Sequence, residues 1–129
     1  MTAPPIKVLI VDDQPPFRAV ARTVVRLTTG FEVVGEAITG EDAVVLAADL
    51  GPDLVLMDIN LPGINGIEAT RRIVTAAPDT TVVLLSTYRS EDLPGDARSC
   101  GAVGYVHKED LGPETVRERW DHRDEPSWG

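Results

Sequence analysis

Asp12 and Asp13 stand side by side after the apolar run Val8 to Val11, and Asp58 directly follows a second such run, Leu54 to Met57. A third run, Val82 to Leu85, ends in Ser86-Thr87, and a fourth segment, Ala102 to Val106, leads to Lys108. Three carboxylates in one small pocket repel one another, and each resists ionisation without a counter-charge. A hard divalent cation relieves that cost. Magnesium suits such a site because it takes oxygen ligands from a few carboxylates and keeps waters that a phosphoryl group can displace. A lysine adds a compact positive charge and a serine a hydroxyl donor, both directed at phosphoryl oxygens. An aspartate so placed can act as a nucleophile toward phosphorus.

This chemistry requires elements that bring the strand ends together. The runs are apolar at every position, as in strands buried on both faces of a parallel sheet. Phe31 to Glu36 and Ala102 to Val106 complete a set of five strands. Helical patterns lie between them. Phe17, Val20, Ala21, Val24 and Leu27 follow helical spacing behind Pro15-Pro16, where missing amide donors cost least. Ala43, Leu46, Ala47 and Leu50 do the same behind a capping box from Thr39 to Asp42. A third helix is expected from about Gly66 to Ala77, closed by Pro78. Leu93, Ala97 and Cys100 mark a fourth that Pro94-Gly95 interrupts, so it is expected to start late and be short. A fifth begins near Gly112-Pro113, with Val116 and Trp120 four apart. Five βα repeats predict a doubly wound parallel sheet, in which ligands collect outside the carboxyl ends of the strands.

With 129 residues, the chain is long enough for one domain and too short for two ordinary ones. The expected division is a flexible lead-in over residues 1–5, one domain over 6–121 and a frayed tail over 122–129, with no output domain in view. A net charge of −9 argues against broad electrostatic binding to nucleic acid or an anionic membrane. The single cysteine, Cys100, excludes an internal disulfide, and no signal-peptide pattern precedes the first strand, so a cytoplasmic protein is expected. No apolar run approaches the roughly 18 residues of a membrane span.

The motifs LIVDD, DLVLMDINLPGINGIE, VVLLST and GYVHK, in that order between βα units, resemble those of the receiver domains of two-component response regulators. The style of GINGIEATRRI and LLSTY is closest to receivers of the NarL/LuxR type. The resemblance covers roughly residues 6 to 121. It implies a flavodoxin-like, CheY-like fold with strand order 2-1-3-4-5, a common order among doubly wound sheets. It further implies that Asp58 is the phosphoacceptor, Asp13 the direct metal ligand and Asp12 a ligand largely through water. The main-chain carbonyl of Asn60 completes the magnesium site. Ser86 and Lys108 contact the phosphoryl oxygens, Tyr105 is the switch aromatic, and Asn60 and Tyr88 tune dephosphorylation. A sensor histidine kinase is the implied donor. The output is an unknown partner or self-association, without direct nucleic-acid binding by this chain and without a membrane. The alternative is the front of a LuxR-type DNA-binding regulator, separated from its helix-turn-helix domain.

Taken singly, these residues have plainer readings. Strand-end acids often form turns or cap helices. Lys108 alone is a solvated charge, and Tyr105 is equally a half-buried aromatic. Cys100 reads as a small apolar residue, Trp120 as packing for the fifth helix, and His107 and His122 as incidental, since neither has metal-ligand spacing. Other classes fit less well. A haloacid-dehalogenase-like phosphohydrolase wants Asp-x-Asp after its first strand, whereas Asp12 and Asp13 are adjacent. A flavodoxin-like carrier wants a hydroxyl-rich phosphate loop, but DDQPPF is acidic there. A degenerate, never-phosphorylated receiver conflicts with the complete acid pocket. Two departures from the family stand out: Pro16 replaces an apolar residue, and Glu109 follows Lys108 where many members have a proline preceded by a cis bond.

Overall fold

The computed structural model describes residues 3–126 and residue 128. Five strands, β1 (Ile6–Val11), β2 (Phe31–Ala37), β3 (Leu54–Asp58), β4 (Thr81–Ser86) and β5 (Gly104–His107), form one sheet in the order β2-β1-β3-β4-β5. All neighbouring strands pair in parallel. The α-helices are α1 (Pro15–Leu27), α2 (Gly40–Leu50), α3 (Gly66–Ala76) and α4 (Pro113–Asp121).

Each inner strand feeds two cores because alternate side chains leave opposite faces of the sheet. Leu9, Val11, Val55, Met57 and Leu84 pack in one cluster with Ala43, Ile67 and Ile73 from α2 and α3. Val8, Ile10, Leu54, Leu56, Val83 and Leu85 pack in the other with Ala21, Val25 and Val116 from α1 and α4. Two covered faces are the reason these strands read as unbroken apolar runs.

Local signals set the helix starts. Pro15 and Pro16 occupy the first positions of α1, where the absent N–H groups have no intrahelical partner to lose. The Thr39 hydroxyl accepts from the Asp42 amide at 3.0 Å, and the Asn65 side chain accepts from the Glu68 amide at 2.9 Å. Both caps satisfy amides that the first turn leaves open.

One expectation needs correction. The fourth helix is absent as an α-helix: the segment holds only 3-10 turns at Ser90–Asp92 and Ala97–Ser99. Leu93, ahead of Pro94, is extended at φ −65°, ψ 146°, as steric conflict with a following proline ring demands. A helix cannot nucleate across that residue, and the six residues from Gly95 to Cys100 beyond the proline make fewer than two turns, too little to persist alone. Trp128 is partly buried against the first core cluster, with the Arg98 guanidinium 5.8 Å from its ring centroid. Among the described residues every peptide bond is trans, including Lys108 to Glu109.

Candidate functional site

Register places the chemistry at one edge. Val11 pairs with Met57, Asp58 with Leu85 and Ser86 with His107, so β1, β3, β4 and β5 all end at the same rim. Asp12, Asp13 and Asp58 offer carboxylate oxygens that lie within 4.8 Å of one another. Asp12 is fully buried and Asp58 is 3% exposed, whereas Asp13 faces solvent. Asp13, Gln14, Asp58, Asn60, Thr87 and Lys108 line a cavity of about 250 Å³.

The Lys108 ammonium donates to Asp12 Oδ2 at 2.7 Å and lies 3.3 Å from Asp58 Oδ2. Asp12 Oδ1 accepts from the Gln14 amide at 2.8 Å, so both of its oxygens are engaged. Asp58 Oδ1 accepts from the Asn60 amide at 3.2 Å. Burial, reinforced by the Asp12 charge, pushes the Asp58 carboxyl up to about 6 despite the opposing pull of Lys108 and the Asn60 N–H. One ammonium does not balance three carboxylates. The all-oxygen donor set and this excess of negative charge fit a hard divalent cation such as magnesium.

Ser86 and Tyr105 stand beside this cavity and do not line it. Ser86 is buried at the end of β4, and its Oγ accepts from the Tyr88 amide at 3.0 Å. The Tyr105 hydroxyl donates to the Tyr88 main-chain carbonyl, and burial raises its phenol above the usual range. The Tyr88 peptide therefore links Ser86 to Tyr105, while the Tyr88 side chain is largely exposed. Cys100 is buried, and its thiol is pushed up by desolvation, which suits an inert core position.

Sequence reasoning missed further supports of the site. The Phe17 ring lies 4.4 Å beneath the Lys108 ammonium, a cation–π contact that holds the charge near the acids. Arg18 donates to the Asp12 carbonyl at 2.8 Å and lies 3.5 Å from Glu36. Arg22 pairs in a fork with Glu36 at 2.8 and 3.0 Å, which holds that carboxyl below its usual range. Thr87, adjacent to Ser86, is the β4 loop residue that lines the cavity. Phe17 was visible only as an apolar helix position, and no spacing rule pairs it with a lysine so distant in sequence.

The family model described as the response regulator receiver domain matches residues 8–119. Response regulator GacA of Pseudomonas aeruginosa is 42% identical over 103 residues, covering 80% of this chain and 48% of its own. Response regulator UvrY of Escherichia coli K12 is likewise 42% identical over 103 residues, covering 80% of this chain and 47% of its own. The chain thus spans about half the length of these curated relatives. Among solved structures, the receiver domain of the response regulator NarL of Mycobacterium tuberculosis superposes with a TM-score of 0.84 at 29% identity, covering 95% of this chain and 98% of that one. A LuxR-family two-component response regulator of Aurantimonas sp. gives the same TM-score of 0.84 at 29% identity, covering 95% and 89%. With its acid pocket at the carboxyl end of a 2-1-3-4-5 sheet and these likenesses, the chain belongs to the response regulator receiver domain family.

Proposed function

We propose that Asp58 accepts a phosphoryl group from the phosphohistidine of a sensor histidine kinase, in a magnesium-dependent reaction in the cytoplasm. The modification then switches an output partner or the association state of the protein. The observation that carries this reading is the Asp58 carboxylate at the end of β3, opening on a cavity shared with Asp13 and Lys108.

In the reaction, an Asp58 oxygen attacks phosphorus, the P–N bond to the kinase histidine breaks, and its electron pair leaves with the imidazole nitrogen. Lys108, shared between Asp12 and Asp58, supplies a fixed positive charge for the phosphoryl oxygens. Ser86 turns its hydroxyl from the Tyr88 amide toward the same oxygens, and the Tyr88 peptide passes that movement to Tyr105. Asn60 and Tyr88, each two residues past a site residue, control the approach of water and thus the lifetime of the acyl phosphate. Asp13 and Asp58 would hold magnesium directly, with the Asn60 carbonyl, and Asp12 through water. The full engagement of Asp12 by Lys108 and Gln14 supports that division. Bound there, the ion would offset the charge between carboxylate and phosphoryl oxygens. The protein is a signalling phosphoacceptor that promotes its own phosphorylation and dephosphorylation, not an enzyme with an external substrate.

The test incubates wild type and Asp58→Asn with acetyl phosphate and magnesium and reads intact mass. Wild type should gain one phosphoryl group and the variant none; equal gain in both removes Asp58 from its role. A second reading is favoured by the length of the relatives: the domain serves as the front of a LuxR-type transcriptional regulator. A reading frame that continues past Gly129 into a helix-turn-helix region would establish it.

A further inference from the structure

His107 closes β5 directly opposite Ser86 and immediately before Lys108. Its ring is engaged at both nitrogens. Nδ1 lies 3.1 Å from the Glu109 amide, which can only donate, so Nδ1 is the acceptor. The ring proton therefore sits on Nε2, which donates at 2.9 Å to the Thr87 carbonyl. The first contact caps the 3-10 turn Lys108–Asp110 that carries the pocket lysine. The second holds the residue that follows Ser86 and lines the cavity. One neutral imidazole thus joins the two loops whose side chains must converge on a phosphoryl group, and each nitrogen serves a different loop.

We infer that His107 is a positioning residue, setting the distance between the Ser86-Thr87 loop and the Lys108 turn. The inference rests on the reading of Asp58 as phosphoacceptor. An apolar residue here could fill space but could hold neither the Glu109 amide nor the Thr87 carbonyl. Asparagine can present an acceptor near the Nδ1 position, and glutamine a donor near the Nε2 position, so each keeps one tie of the two.

Wild type, His107→Leu, His107→Asn and His107→Gln are compared for the rate of labelling by acetyl phosphate and for magnesium affinity by calorimetry. His107→Leu should label about three- to tenfold more slowly, the scale of one net hydrogen bond. Its magnesium dissociation constant should stay within about twofold, because the acids are untouched. His107→Asn and His107→Gln should fall between Leu and wild type. A wild-type rate in His107→Leu, or single-tie variants no faster than Leu, overturns the inference. Nitrogen-15 spectra of the two histidines provide a readout independent of labelling, with the His107 signal assigned by its loss in His107→Leu. A ring protonated at Nε2 and bare at Nδ1 is expected, and the opposite tautomer overturns the inference even if labelling fails. Failure of wild type to label, with the expected tautomer present, removes the Asp58 reading instead.

Discussion

Asp58 is held at a cost that its own titration should expose. Its carboxyl is raised from 3.8 to about 6 by burial and by Asp12. An acid raised in the folded state contributes stability below its unfolded value and loses it as pH climbs through the folded value. Without metal, wild type should therefore weaken between about pH 4 and 6, and Asp58→Asn should not. At pH 7 in chelator the variant should be the more stable by about 2–3 kcal/mol, which denaturant melts at several pH values can measure. A variant less stable than wild type at pH 7 would show that Lys108 repays the burial. The same titration makes magnesium affinity fall below about pH 6, since a protonated carboxyl is a poor ligand. The acids and Lys108 were readable from sequence because strand ends advertise themselves: an apolar run stops at a charge. The Phe17 ring under Lys108 and the His107 ties were not, because they depend on which strand ends meet across the sheet. Neither residue carries that in its local spacing.

Helix α3 must start very close to the loop that follows Asp58, and Gly66 is what permits it. A Cβ at Gly66 would sit 2.0 Å from the Asp58 carbonyl oxygen and 3.0 Å from Ile59 Cα. The Gly66 amide also donates to the Ile59 carbonyl at 2.9 Å, so backbone packs on backbone. Gly66→Ala should destabilise by about 2–4 kcal/mol and slow labelling of Asp58, since the strand end must shift to admit a methyl group. Asn65→Ala, which removes only the cap, should cost about 1 kcal/mol and leave labelling intact. Equal labelling in both variants would detach α3 from the site. The interrupted fourth segment gives the converse case. The Pro94-Gly95 break was visible in sequence, but its full consequence, loss of the α-helix, was not. Helix propensity is a balance between a local break and the tertiary contacts that could override it, and only packing decides it. At Gly95 an added Cβ meets nothing within 4 Å. Pro94→Ala with Gly95→Ala should thus raise helical circular dichroism by roughly one or two turns without lowering the melting temperature. An unchanged spectrum would mean that the contacts around Ala97 and Cys100, and not the Pro-Gly pair, exclude a helix.

Because the central strands serve both cores, energy gained at their ends is felt by the whole domain. β1 and β3 sit inside the sheet, each carries an acid at its carboxyl end, and their alternate side chains pack into opposite clusters. Opening the site by separating them would break both cores together, so ligand binding should stabilise the domain as a unit and not merely order a loop. Magnesium at ten times its dissociation constant then adds about 1.4 kcal/mol. For a chain of this size that raises the melting temperature by roughly 4–8 °C. Beryllofluoride, as a phosphoryl mimic that needs the Asp58 carboxylate, should add a further rise in wild type and none in Asp58→Asn. Thermal melts of both proteins with metal alone and with metal plus beryllofluoride separate the two increments. A beryllofluoride shift that survives in Asp58→Asn would place the anion elsewhere. A metal shift confined to local probes, with the global transition unmoved, would break the link between the acid pocket and the two cores.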